Sequence, residues 1–234
     1  MYDNLQKINL TEYLNKCCGG TNWVKESWLV FLDSYVGLLS KENTNILKLK
    51  INNNLNHYQI NDIVNEIMIA CVYHPEANFF KENNKKTFDL FDKNLNLKIE
   101  VKTLNEGDDE KERHKQDKFI CISKCLNVLE EKNEKQQTKK IIYKKCTDHL
   151  TKASSQINNK GKIYLIYDYN TLTSENIGTK KEPRFTRTHR SALSKDDIKN
   201  EINNFLNNFS KNHPQITVEA IYFGDLRDKV INSK

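Results

Sequence analysis

The alternation of apolar and polar residues along this chain is most regular between residues 95 and 102. The apolar row is Leu95, Leu97, Ile99 and Val101, and the polar row between them is Asn96, Lys98, Glu100 and Lys102. An unbroken period of two is typical of a half-buried β-strand, whose side chains point alternately to its two faces. In the run at 87–92, Phe88 and Leu90 stand on either side of Asp89, and the two runs together predict a β-hairpin.

The first strand of this hairpin brings a second acid to the polar face. Phe88 and Leu90 must join the apolar row, which leaves Asp89 on the polar side. A four-residue turn over 93–96, which we prefer, sets Asp89 directly opposite Glu100, whereas a two-residue turn sets it opposite Lys98. Both registers keep Asp89 on the face of Glu100 and Lys102. Because opposed carboxylates repel each other, the preferred register implies a bound cation or a raised pKa.

Two carboxylates and an ammonium on one face of a sheet edge can form a magnesium site beside a proton-handling group, as in many metal-dependent nucleases. The acid-x-Lys triplet also occurs at Asp109-Glu110-Lys111 and at Glu130-Glu131-Lys132, in charged surroundings without strand alternation. We interpret those two triplets as solvated surface. The alternative for the hairpin is an exposed face that carries an ordinary Glu–Lys pair.

Helical periodicity dominates the chain before the hairpin. Residues 1–56 are predicted to form a helical region packed on the core, in which Thr11 caps a short helix that stops at Gly19-Gly20. Thr21 or Asn22 then starts a longer helix. The apolar stripe of this longer helix is Val24, Trp28, Phe31, Tyr35 and Leu38.

A second helix is predicted from Asn61 or Asp62 to His74-Pro75. Its buried stripe is Ile60, Ile63, Val64, Ile67, Cys71 and Val72. Glu66 lies on the margin of that stripe, about 100° from Ile67 on a helix of 3.6 residues per turn. From there its carboxylate either reaches over a sheet edge or faces solvent.

The rest of the chain mixes strands and helices. A brief strand at about 78–81 precedes the hairpin, and a charged insertion at about 104–144 follows it. The next predicted elements are a helix at about 145–158, with Leu150, Ala153 and Ile157 on one face, and a buried strand at 162–169. A basic and aromatic loop at 171–190, a helix opened by Ser194 and Asp197, and a last strand at 217–223 complete the chain. We read the charged run at 130–140 as a solvated helix face. The order of elements predicts an α/β fold with a mixed central β-sheet flanked by helices.

Composition narrows the class of protein. With 37% hydrophobic and 29% charged residues, the 234-residue chain is polar but able to build a core. No stretch approaches the roughly 20 apolar residues of a membrane span, and the N-terminus lacks a signal-peptide pattern. We therefore expect a cytoplasmic protein with no membrane partner. The net charge of +6 favours a polyanionic partner, although the AT-rich codons of Lys, Asn and Ile account for part of it.

The six cysteines do not form the framework of a small secreted domain, in keeping with a reducing compartment. Cys121, Cys125, Cys146 and His149 are residue types that bind zinc. The first two straddle an apolar stretch and the other two fall on a predicted helix. We therefore expect buried structural cysteines rather than a structural zinc.

The motif Asp89…Glu100-Val101-Lys102, with helix-borne Glu66 ahead of it, resembles that of the PD-(D/E)xK nuclease superfamily. This superfamily includes type II restriction endonucleases, Holliday junction resolvases and recombination exonucleases. Its core of a helix, three antiparallel strands, a helix and a further strand is similar to the predicted order over about residues 60–170, roughly half of the chain. The sequence departs from the motif at Phe88, where the family name has Pro.

The resemblance implies a role for each residue of the motif. Asp89 and Glu100, with the backbone carbonyl of Val101, would bind Mg²⁺, which Mn²⁺ can replace. Lys102 would position or deprotonate the attacking water, and the cation and partial burial would lower its pKa. Glu66 would recruit a second metal ion.

The resemblance also implies a domain and a substrate. Residues 57–234 would form a restriction endonuclease-like domain interrupted by the charged insertion, with Gln156 as an accessory residue near the site. The expected function is that of a Mg²⁺-dependent DNA endonuclease of a restriction, defence or repair system, acting as a homodimer. Contacts to the phosphate backbone would come from Lys180, Lys181, Arg184, Arg187 and Arg190, unless that basic loop is merely solvated.

A different class of function uses the same residues. A nucleic-acid-binding or protein-interaction module on a nuclease-like fold would keep the acids without turnover. The sequence does not choose between DNA and RNA, between endonuclease and exonuclease action, or between one and two metal ions.

Overall fold

The structure, a computed structural model, describes residues 28–53, 57–80, 87–104, 128–168, 174–178, 183–188 and 193–232. Within these ranges the helices are α1 (Trp28–Leu38), α2 (Lys41–Asn53), α3 (His57–Tyr73), α4 (Val128–Gln156), α5 (Lys195–Asn212) and α6 (Phe223–Asn232). The strands are β1 (Asn78–Phe79), β2 (Leu90–Asp92), β3 (Leu97–Leu104), β4 (Gly161–Tyr167), β5 (Ser174–Gly178), β6 (Pro183–Thr188) and β7 (Ile216–Tyr222). No helix of the described ranges has both the length and the apolar character needed to cross a lipid bilayer.

Five strands form one mixed sheet in the order β1-β2-β3-β4-β7, and helices flank it. This confirms the predicted α/β class. β4 lies between β3 and β7, and all but one of its residues are buried, as its apolar run predicted. β5 and β6 pair with each other in a separate antiparallel sheet.

The hairpin has the preferred register. β2 pairs with β3 so that Leu90 faces Ile99, and the four residues 93–96 form the turn. Asn96 takes a left-handed backbone conformation (φ 48°), which asparagine tolerates better than most residues. Leu95 is 65% exposed in this turn, so the prediction that it continues the apolar row is wrong.

Gly161 allows β4 to approach β3 closely. Its φ is +149°, and a Cβ atom at this position would lie 2.5 Å from the backbone oxygen of Lys98. A side chain there would have to push the two strands apart, so the close contact requires glycine. The Gly161 amide also donates a hydrogen bond to the carbonyl of Gln215 at 3.2 Å.

The chain divides into two compact units. The first comprises Met1–Thr103, Ala153–Ile166 and Gln215–Lys234. In its described part, α3 buries the predicted stripe around Ile63 and Ile67. Residues of α1, α2 and α6 share that core, among them Leu32, Leu47 and Leu226. Leu38, the last residue of the predicted apolar stripe, is 86% exposed and does not join this core.

The second unit comprises Leu104–Lys152 and Tyr167–Pro214. Here α4 and α5 are joined by polar and aromatic contacts: the Tyr143 hydroxyl donates to Glu201 at 3.3 Å, and the Tyr143 and Phe205 rings lie 5.4 Å apart. The predicted capping box at the start of α5 is confirmed, because the Ser194 side chain accepts from the Asp197 amide and the Asp197 carboxylate accepts from the Ser194 amide.

Several predicted boundaries differ from the structure. α4 begins at Val128 rather than near residue 145, so the second part of the predicted insertion is helix. The predicted loop at 171–190 contains the β5–β6 hairpin. α6 follows the last strand and was not predicted. The predicted cap and helix starts at Thr11, Gly19-Gly20, Thr21 and Asn22, and the triplet at 109–111, lie outside the described residues.

Candidate functional site

Asp89 is fixed against β3 by two hydrogen bonds. Its backbone amide donates to the carbonyl of Ile99 at 3.1 Å, and its side-chain Oδ2 accepts from the amide of Val101 at 2.9 Å. The side chain is buried, and the regular pairing of β2 with β3 ends at Leu90 and Ile99, one residue before Asp89. Asp89 and Glu100 are nevertheless close enough for the Asp89 charge to act on the Glu100 carboxyl.

Glu100 is the most deeply buried charged group of this site, with no exposed surface at all. Its Oε1 forms an ion pair with the Lys102 ammonium, whereas its Oε2 accepts no hydrogen bond from any described residue. Burial, followed by repulsion from Asp89, raises the pKa of Glu100 to about 9. The alternative of an exposed hairpin face is thus wrong for this residue.

Glu66 also reaches the site instead of facing solvent. From α3 its carboxylate forms a buried ion pair with the ammonium of Lys50 on α2. The same ammonium lies 3.8 Å from Oδ1 of Asp89. Burial and the Asp89 charge raise the pKa of Glu66 to about 8, although Lys50 opposes the shift.

Lys102 differs from the expectation in its pKa. Burial by itself would lower the pKa of this ammonium, but the Asp89 and Glu100 carboxylates outweigh it and raise the value above the ordinary range. The predicted lowering is therefore wrong for the metal-free site. It requires a cation beside the acids, since only an added positive charge would reverse the balance.

The sequence analysis missed two residues of the site. Lys50 is 7% exposed and lies between two of the acids, on a helix whose composition looks like that of a surface helix. Asp62 lies one helical turn before Glu66 and acts electrostatically on both Glu66 and Lys102. The i, i+4 spacing of Asp62 and Glu66 was a signal in the sequence, but no local pattern marked Lys50.

The predicted accessory residue Gln156 lies at the end of α4, and its side-chain amide donates to the backbone carbonyl of Thr87 at 3.5 Å. It therefore contacts the segment that leads into Asp89. Arg184 and Arg187 lie on β6 in the second unit, where the strand partner of Arg187 is Glu175. Lys180, Lys181 and Arg190 lie outside the described residues.

The donor set of the hairpin suits a hard cation. Oδ1 of Asp89 and Oε2 of Glu100 accept no backbone hydrogen bond from the part of the chain that the structure describes. A buried carboxylate oxygen without a donor is costly unless a proton or a cation neutralises the group. Within the described ranges, no three His, Cys, Asp or Glu side chains form a ready-made ligand cluster. Mg²⁺ does not require one, because it keeps several waters and uses one or two carboxylates.

The zinc candidates are only partly within the described residues. Cys146 is buried on α4, where burial raises the pKa of its thiol to about 12, and His149 lies on the same helix. Cys121 and Cys125 lie outside the described residues.

A second buried polar cluster lies at the turn end of the hairpin and has no counterpart in the predictions. His74, just after α3, has Nδ1 2.9 Å from Oδ2 of Asp92 and Nε2 2.9 Å from the hydroxyl of Tyr164. Asp92 also accepts from the Leu95 amide at 3.1 Å. Burial alone would raise the pKa of Asp92, but the hydrogen bonds from His74 and the turn lower it.

No protein-family model, no curated protein and no solved structure matches this chain. The resemblance to the nuclease superfamily thus rests on the motif residues themselves and on their arrangement.

Proposed function

We propose that this chain is a metal-dependent nuclease that hydrolyses phosphodiester bonds. The observation that carries the proposal is the cluster of Glu66, Asp89, Glu100, Lys50 and Lys102, all largely buried, around one strand pair. Burying ionisable groups at such density costs stability, and proteins concentrate such groups at functional sites. The hydrophobic effect offers no reason for Glu100, since an apolar residue would fill its position at lower cost.

Asp89 and Glu100, with the Val101 carbonyl, would hold Mg²⁺ or Mn²⁺. The bound cation would make a water molecule more acidic and stabilise negative charge on the phosphoryl group in the transition state. Lys102 lies against Glu100 and would orient the attacking water, or accept its proton once a bound cation has lowered the pKa of the ammonium. Asp89 is held by the Val101 amide, so its carboxylate needs little reorganisation before it binds the cation.

DNA is the proposed substrate, because the chain carries a net charge of +6 and β6 contains two arginines. A restriction-type endonuclease, or a related defence or repair enzyme acting as a homodimer, is the narrower form of the proposal. Binding through phosphates predicts an affinity that falls steeply with salt concentration.

A second candidate is a non-catalytic module on the same fold. It is favoured by the ion pairs of Lys50 with Glu66 and of Lys102 with Glu100, because these pairs already neutralise part of the acidic cluster without a metal. Calorimetric titration with Mn²⁺ separates the two candidates. A vestigial site would bind no Mn²⁺ that Asp89→Ala removes.

The direct test is cleavage of supercoiled plasmid and linear DNA across Mg²⁺ and Mn²⁺ concentrations. We expect wild-type protein to cleave, and Asp89→Asn and Lys102→Ala to lose at least about a hundredfold in rate while their circular dichroism is unchanged. Lys93→Ala is the matched control, since this lysine is exposed in the turn of the same hairpin. Intact DNA with the wild-type protein under all these conditions would contradict the proposal.

A further inference from the structure

Lys50 has an unusual position for a lysine. It lies on α2, outside the hairpin, yet its side chain is only 7% exposed and its ammonium reaches two different acids. It forms an ion pair with Oε2 of Glu66 and lies 3.8 Å from Oδ1 of Asp89. A buried ammonium is stable only when opposite charge surrounds it, so Lys50 belongs to the electrostatics of the site rather than to the surface of α2.

The position of this ammonium bears on the number of metal ions. A divalent cation shared by Glu66 and Asp89 would need the space and the negative charge that Lys50 now takes. The Lys50 ammonium and a divalent cation cannot both lie between these two carboxylates, because the two positive charges would repel each other strongly at such short range. At Glu100 the neighbouring ammonium of Lys102 pairs with Oε1, and Oε2 accepts no hydrogen bond from any described residue.

We propose that Lys50 takes the charge-neutralising role of a second divalent cation between Glu66 and Asp89, so that the site binds a single divalent ion at Asp89 and Glu100. This inference rests on the proposed metal-dependent function and deepens it. Lys50 is then a positioning residue that orients Asp89 toward the bound ion. Glu66 is the ion-pair partner of Lys50 and is not a metal ligand.

The test counts bound ions. Mn²⁺ titration of the full chain, followed by electron paramagnetic resonance of free Mn²⁺ and by calorimetry, should give one ion for the wild type. Lys50→Met should bind two, because it frees Glu66 and Asp89 while keeping the length of the side chain. Lys50→Arg should restore a stoichiometry of one, since it keeps the positive charge. Lys48→Met, two residues away on the same helix, is the matched control and should stay at one ion.

Glu66→Gln provides a second measurement that does not depend on the folding of the Lys50 variants. In the wild-type background it should weaken Mn²⁺ affinity by less than about tenfold. Loss of a metal-binding carboxylate, or of a residue that hydrogen-bonds to a metal ligand, lowers metal affinity by about tenfold or more. In the Lys50→Met background it should remove the second ion.

The outcomes separate the two proposals. Two ions in the wild type, one ion in Lys50→Met, or a loss of tenfold or more in Glu66→Gln each overturn the role of Lys50 and leave the nuclease proposal standing. No Mn²⁺ bound by the wild type overturns the metal site itself, and the role of Lys50 with it.

Discussion

Replacing Glu100 with glutamine should make the metal-free protein more stable at neutral and alkaline pH. Glutamine has nearly the same shape as glutamate but cannot ionise. Glu100 has no exposed surface, and its folded-state pKa is raised to about 9, first by burial and then by Asp89. An unfolded chain ionises its glutamates near pH 4.3.

The magnitude follows from proton linkage. A group with a raised folded-state pKa contributes full stability below its unfolded pKa and loses that contribution as the pH rises through the folded value. For Glu100 the window runs from about pH 4.3 to about pH 9, at up to about 1.4 kcal/mol per pH unit. Because Asp89 and Glu66 interact with the same proton, we expect an effect on the order of 1–3 kcal/mol at pH 7.

Urea unfolding followed by circular dichroism, with a chelator present, measures this effect at pH 5, 7 and 9. The free energy of unfolding of Glu100→Gln should be close to that of the wild type at pH 5. It should exceed the wild-type value at pH 7, and by more at pH 9. Glu42→Gln, at an exposed position of α2, should stay within about 0.5 kcal/mol of the wild type throughout. A Glu100→Gln protein that loses as much stability as the wild type between pH 5 and 9 would refute the reasoning.

Two further predictions concern protons and the second polar cluster. Mn²⁺ binding at pH 7 should release protons, because Glu100 must ionise beside a cation, and the release should shrink as the pH passes about 9. Calorimetry in two buffers of different ionisation enthalpy measures the number of protons released. Mn²⁺ binding without proton release at pH 7 would contradict the raised pKa of Glu100. His74→Ala should lower the free energy of unfolding by roughly 2–4 kcal/mol, because it leaves Asp92 and Tyr164 buried without their shared partner; a loss under about 0.5 kcal/mol in urea titration would show that the contacts add nothing.

The hairpin could be predicted from sequence because its determinants are local. The period of two fixes the faces, and the four-residue turn of 93–96 fixes the register, so the pairing of Leu90 with Ile99 follows from the sequence. Helix α3 was found for a similar reason, since its apolar stripe repeats at three and four residues. What the alternation could not tell is that the polar face is buried, because burial depends on elements distant in the chain.

The missed features share a physical cause. Lys50 belongs to the site only because tertiary packing brings α2 against α3 at Glu66, and a lysine in a polar helix carries no local signal of burial. The start of α4 was missed because a run of mixed charges is equally compatible with a loop and with an exposed helix face. The strands β5 and β6 are rich in polar residues, so hydrophobic alternation, the usual signal, is weak there.

The contacts of His74 favour the native register of the hairpin over a register shifted by two residues. A slip of β2 along β3 by two residues would keep every side chain on its face, yet it would displace Asp89 by about 7 Å from Glu100. His74 bonds Asp92 on β2 and Tyr164 on β4, and these two strands lie on either side of β3. One imidazole ring cannot bridge them after such a shift. A hairpin with the shifted register would lose both hydrogen bonds of His74. It would therefore be less stable than the hairpin that brings the acids of the site together.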